Sequence, residues 1–113
     1  CFLSPSTTLP MIYMEDAIRA TIELMEAPKQ NITIRSSYNL SGMSFSPNQL
    51  FLMIRKTYPK FTITYKPDFR QQIADTWPHS IDDSIAFRDW DWKPKHDLEA
   101  MTQSMIKNLK LKQ

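Results

Sequence analysis

The side chains able to do acid–base or metal chemistry are few and scattered. His79 and His96 stand 17 positions apart and Cys1 is remote from both, so no metal-ligand spacing is present. The pair Asp82–Asp83 puts neighbours on different faces of a helix, which suits a helix start better than shared acid–base work. A serine–histidine–carboxylate set is compatible with the composition, but no nucleophile-elbow motif presents a serine. A tyrosine followed four residues later by a lysine would pair a phenol with an ammonium for hydride chemistry. The residues four after Tyr13, Tyr38, Tyr58 and Tyr65 are Ala17, Gly42, Thr62 and Phe69, so no such pair exists. Gly42 is the single glycine, and dinucleotide or phosphate loops need several. Trp77 has the clearest binding chemistry. Pro78 follows it, disfavours helix at Trp77 and predicts an extended loop. The indole offers a broad apolar face and one N–H donor, a wall for a pocket, with Asp75 and Arg70 near enough in sequence to anchor it. Packing of the surrounding structure is its alternative role. Trp90 and Trp92 read as caps on a small core.

Short elements must position these groups. Thr8–Tyr13 is apolar and β-prone, with Pro10 placing it at a sheet edge. A helix is predicted over about residues 15–27, ended by Pro28, with Ile18, Thr21, Ile22 and Met25 as its apolar face. Asn31–Ser41 reads as a strand turned by Ser41-Gly42. Two glycosylation-type tripeptides in it, at Asn31 and Asn39, are of a kind common by chance. Phe45-Ser46-Pro47-Asn48-Gln49-Leu50 carries an N-cap, a proline at the first helical position, a capping box and a hydrophobic staple. Leu50, Met53, Ile54, Thr57 and Tyr58 form the face of that helix, and Pro59 stops it. Phe61, Ile63 and Tyr65 then alternate with polar residues as a half-buried strand. Strand, helix and strand predict a right-handed parallel βαβ unit. Residues 65–94 read as loops and brief helical turns, of the sort that carries function. Asp97 caps a last helix with the stripe Leu98, Met101, Met105 and Leu109. Lys107, Lys110 and Lys112 lie near its negative end.

Composition narrows the class. The chain has 113 residues, 42% hydrophobic and 23% charged, enough for one domain with a modest core. A net charge of +2 gives no argument for nucleic acid or an anionic membrane. No stretch approaches the roughly 18 apolar residues of a membrane span. One cysteine permits no internal disulfide and favours a reducing compartment. Cys1-Phe2-Leu3 reads as chain already in progress.

Four runs carry a resemblance: Leu9-Pro-Met-Ile-Tyr-Met-Glu-Asp-Ala-Ile-Arg-Ala-Thr-Ile-Glu-Leu-Met-Glu-Ala-Pro28, Ser36-Ser-Tyr-Asn-Leu-Ser-Gly-Met-Ser-Phe-Ser-Pro47, Asp68-Phe-Arg-Gln-Gln-Ile-Ala-Asp-Thr-Trp-Pro78 and Ser80-Ile-Asp-Asp-Ser84. Together they resemble the L-threonine 3-dehydrogenases of the extended short-chain dehydrogenase/reductase family, mitochondrial in animals. Trp92-Lys93-Pro94 with Asp97-Leu98 is a pattern shared more widely by extended-family epimerases and dehydratases. The family usually has glycine, in a left-handed helix end, where this chain has Asp91. The resemblance implies an α/β fold. Residues 1–113 would be one C-terminal substrate-side lobe, a βαβ unit plus flanking helices with the Rossmann core missing. It implies NAD as cofactor and L-threonine as substrate of the full-length parent, with a homodimer as the parent's assembly. It places Trp77 on the substrate side and leaves this chain with no catalytic or cofactor-binding residue, no bound NAD and no activity alone. Two alternatives stay open: a non-catalytic stand-alone domain or truncated product acting by protein interaction, and a piece of a sugar-nucleotide epimerase.

 The partners so implied are L-threonine, an N-terminal nucleotide-binding domain and a second copy of the parent; nucleic acid and membrane are not among them.

Overall fold

The computed structural model describes residues 1–111. The elements run β1 (Leu9–Met11), α1 (Met14–Glu26), a 3₁₀ turn (Lys29–Asn31), β2 (Met43–Phe45), α2 (Pro47–Thr57), α3 (Phe69–Ala74), α4 (Ser84–Trp90) and α5 (Leu98–Leu111). α2 begins as its spacing predicts. Ser46 N donates to Gln49 Oε1 at 2.9 Å and Gln49 N to Ser46 Oγ at 3.4 Å, with Pro47 at the first turn. Such a cap stabilises a helix by about 1 kcal/mol. Leu50, Met53 and Ile54 on its face are half-buried, while Thr57 and Tyr58 are exposed. Asp97 caps α5 by accepting from Ala100 N at 2.8 Å. α5 packs on α2, yet only the start of its stripe is covered: Met101 is buried, Met105 and Leu109 are exposed. Lys107 and Lys110 lie in its last turns, and Lys112 lies outside the described residues.

The fold is α/β, but the expected parallel βαβ unit is absent among the described residues. The one sheet is a β1–β2 pair, antiparallel, with Pro10 opposite Ser44. Asn31–Ser41 forms no strand, apart from the 3₁₀ turn at its start, and Phe61–Tyr65 forms none either. Strand propensity needs a neighbouring strand to become a ladder, and the chain offers these segments almost none. The exception is one rung of parallel type: Cys1 N donates to Thr64 O at 2.6 Å and Lys66 N to Cys1 O at 2.8 Å. No turn forms at Ser41-Gly42, and the φ of Gly42 is not positive. It is needed for close approach, because a Cβ there would lie 2.6 Å from Met11 O and 2.8 Å from Ile12 Cα.

α1 spans nearly the predicted residues and ends before Pro28, but its orientation reverses the expectation. Asp16 and Ala20 face inward, while Met14, Ile18, Ile22 and Met25 are 66%, 55%, 49% and 81% exposed. The fully buried Asp16 carboxylate accepts from the backbone N–H groups of Lys95 (3.0 Å) and His96 (2.9 Å) and from Arg19 (3.2 Å). Burial works to raise this carboxyl, and the bonds from His96, Arg19 and Lys95 outweigh it, so the group titrates below its ordinary range. Arg19 also donates to Lys93 O at 2.6 Å and lies 4.6 Å from the Trp92 ring centre.

Trp92 is fully buried with Ala20 and Ala86, and Ile12, Tyr38, Leu40 and Trp90 surround them. Both tryptophans therefore close the core as expected. Trp92 Nε1 donates to Ser41 O at 3.2 Å, and Trp90 stands edge-on to Tyr38 at 4.5 Å. Beside them the buried Asp89 accepts from Arg88 Nε (2.8 Å), Thr33 Oγ1 (2.6 Å), Thr33 N (3.2 Å) and Tyr38 OH (2.7 Å). These bonds, Arg88 first, hold the Asp89 carboxyl far below its ordinary range. The whole is thin: 52 × 36 × 19 Å with a radius of gyration of 16.8 Å, against about 13 Å for a compact domain of this length.

Two expectations follow. Asp91 ends α4 at φ 60°, ψ 33°, a left-handed residue that glycine occupies without penalty. Asp91→Gly raises stability by about 0.5–1 kcal/mol in urea titrations, net of the extra freedom of the unfolded chain; an unchanged or lower midpoint counts against this strain. The lowered Asp89 carboxyl contributes stability that is complete above about pH 5 and drains away as pH falls below about 4. Asp89→Asn lowers stability at neutral pH and flattens that acid limb, and a limb as steep as in the parent refutes the assignment.

Candidate functional site

Asp68 starts α3 by accepting from Arg70 N at 2.9 Å, and the Arg70 guanidinium returns to the same carboxylate at 2.6–3.2 Å. Those bonds hold the Asp68 carboxyl below its ordinary range and raise Arg70. The Arg70 head lies 3.5 Å from the Phe2 ring centre. One turn on, Gln71 ties α3 to the start of the chain: Ser4 N donates to its Oε1 at 2.7 Å, and its Nε2 donates to Thr7 Oγ1 at 2.8 Å. Gln71 Nε2 also reaches Asp75 Oδ1 at 2.6 Å. Arg70 and Asp75 thus anchor separate partners and do not pair with one another as the sequence suggests.

Trp77 is not in an extended loop. It closes the turn after α3, with its N–H donating to Ala74 O at 3.1 Å. The residue is 55% exposed. With Phe2, Leu9, Met11 and Ile73 it lines an apolar cavity of about 310 Å³ whose one ionisable lining residue is Arg70. The cavity offers apolar surface and a single cation already engaged by Asp68. Local spacing could not have shown this, because Phe2 and Met11 come from the other end of the chain.

The remaining candidates are dispersed. His79 and Cys1 are exposed. His96 lies on Tyr13 with ring centres 4.4 Å apart, and its Nδ1 is 3.2 Å from Asp16. Asp82, just before α4, accepts from Ser84 N at 2.9 Å, while Asp83 stands at the N-cap position without a cap bond and its carboxylate accepts from Ser41 N at 3.2 Å. The pair serves the helix start and a tether, not shared proton transfer. Among the described residues no group of three His, Cys, Asp or Glu is placed to hold a metal ion, and no helix is long and apolar enough to cross a membrane. The residues also do not fit a dinucleotide. The single glycine packs against β1, and the best-capped helix start, α2, satisfies its own N–H groups. A larger cleft of about 650 Å³ between α1 and α4 is lined by Glu23, Glu26, Asp89 and Asp91 among others. Glu23 is held by Arg19 at 2.6 Å and Asp89 by its three neighbours, so that cleft offers few free groups.

No family model matches the chain. It is 48% identical over 107 residues to the mitochondrial L-threonine 3-dehydrogenase of Sus scrofa, covering 94% of this chain and 28% of that protein. It is 44% identical over 113 residues to an uncharacterized epimerase/dehydratase of Staphylococcus haemolyticus, of which it covers 36%. Among solved structures, the GalE-like L-threonine dehydrogenase of Cupriavidus necator superposes with a TM-score of 0.93 at 55% identity, over 96% of this chain and 35% of that one. The chain spans about a third of the length of the relatives it matches. Across nearly all of its own length, it matches the C-terminal part of the L-threonine 3-dehydrogenases, within the short-chain dehydrogenase/epimerase family.

Proposed function

We propose that this chain is the substrate-side lobe of an NAD-dependent L-threonine 3-dehydrogenase, and that it is inactive without a nucleotide-binding domain. The observation that carries this reading is the 55% identity and 0.93 TM-score over 96% of the chain to the Cupriavidus necator enzyme. The parent reaction would move hydride from the carbinol carbon of threonine to NAD and release a proton, giving 2-amino-3-ketobutyrate. The base and the phosphate loop would lie in the other domain, since this chain has neither a tyrosine–lysine pair nor a glycine-rich turn. Relatives of both mitochondrial and bacterial origin match, and the mitochondrial ones support a mitochondrial location for the parent. Trp77 is the one residue assigned to the substrate side, as an apolar wall that excludes water from a small zwitterion.

Calorimetric titration of the isolated chain with millimolar NAD gives no saturable heat. A micromolar dissociation constant would overturn the assignment of the cofactor to another domain.

The role of Trp77 is tested in a full-length chimera, with this chain replacing the matching third of the Cupriavidus necator enzyme. Trp77→Ala lowers kcat/KM about tenfold or more, near 1.4 kcal/mol of transition-state stabilisation. Its melting temperature moves by only a few degrees, since the side chain is already half exposed. Trp77→Phe keeps most of the apolar wall and loses less. Near-normal kinetics with a stability loss of about 3–5 kcal/mol would make Trp77 a packing residue and remove it from the site.

A further inference from the structure

We infer that the outward stripe of α1, Met14, Ile18, Ile22 and Met25, is the docking face for the nucleotide-binding portion that the L-threonine 3-dehydrogenases carry beyond the matched third. The inference rests on the function proposed above. The four residues lie on one side of the helix, at spacings of four, four and three, and all are at least 49% exposed. The opposite side is occupied by Asp16 and Ala20, so the helix cannot roll to bury the stripe without stranding a carboxylate. The slab is only 19 Å thick in its shortest direction, close to two helix diameters of about 10 Å, and no further layer of the described residues covers the stripe. The occupant is argued from length. The chain covers 35% of the Cupriavidus necator enzyme at a TM-score of 0.93, so that enzyme carries nearly two-thirds of its length outside the matched fold. A second observation agrees: Phe61–Tyr65 is extended and β-prone, yet makes one parallel rung, to Cys1. Both features are those of a layer whose neighbour belongs to another part of a larger protein.

The test places Ile18→Glu with Ile22→Glu in two settings, the chain alone and the full-length chimera. In the chain alone both side chains face water. The far-UV helical signal is kept, and binding of a hydrophobic dye falls relative to the unsubstituted chain. In the chimera the same pair lowers the melting temperature by about 8 °C or more, or prevents folding. The milder Ile18→Ala with Ile22→Ala supplies a graded loss in the chimera and none in the chain alone. The inference is overturned by a charged chimera that melts within about 2 °C of its parent. It is equally overturned if the chain alone loses helix, or runs as a dimer that the charges split while the chimera tolerates them. Melting decides the docking and turnover decides the catalytic reading, so either can fail without the other.

Discussion

The buried carboxylate of Asp16 sets the orientation of everything around it. It sits inside the chain with two backbone N–H groups, from Lys95 and His96, and the Arg19 guanidinium as donors. A buried carboxylate left without such donors would be strongly destabilising, so α1 must present Asp16 to residues 95–96. Arg19, one turn along, then reaches Lys93 O and covers Trp92. Ala20 is on the same side and small enough to let Trp92 and Ala86 close over it. At 100° per residue, Ile18, Ile22 and Met25 fall roughly opposite Asp16. Their exposure is the geometric consequence of satisfying one charge.

This is an unusual arrangement for a helix on its own and an ordinary one for a helix between two layers. The inner side is polar and small, and it is held by hydrogen bonds; the outer side is apolar and ready to be covered. Fully burying a Leu- or Ile-sized side chain stabilises by roughly 1.5–3 kcal/mol, so four half-exposed apolar residues leave several kcal/mol unrealised. The core within this chain is correspondingly small, centred on Ala20, Ala86 and Trp92. The same logic applies to the strand-like segments. Their sequences suit a sheet, and among the described residues they lack the neighbours that would make one.

Local signals were legible in the sequence and long-range ones were not. The capping box at Ser46–Gln49, the Asp97 cap and the end of α1 before Pro28 all depend on residues within one turn, and the structure follows them. The left-handed end of α4 at Asp91 was legible only through the family resemblance, which puts a glycine there. The inward face of α1 was not. Periodicity shows that a helix has an apolar stripe, but it does not show which layer covers that stripe. The partners of Asp16 lie 79 and 80 positions away, and those of Asp89 include residues 51 and 56 positions away. No local pattern announces such pairs. Gly42 was visible as the single glycine, but its reason, the backbone of Met11 and Ile12 against its Cα, is tertiary.

The candidate site shows the same division. Trp77 stood out by type and by Pro78, yet its surroundings come from Phe2, Leu9 and Met11, far off in sequence. Those surroundings limit what this lobe can do by itself. A zwitterionic amino acid needs an acceptor for its ammonium, a donor for its carboxylate and exclusion of water. The cavity beside Trp77 supplies apolar surface, and its one cation is already bound by Asp68 at 2.6 Å. Under the function proposed above, acceptors and catalytic groups would face it from another layer. Apolar walls, an uncovered apolar helix face and strand-like segments without ladders are what the substrate-side lobe proposed above would show. The carboxylate of Asp16 turns the apolar face of α1 outward, and that face and the Trp77 cavity are separate apolar surfaces, since no residue of α1 lines the cavity.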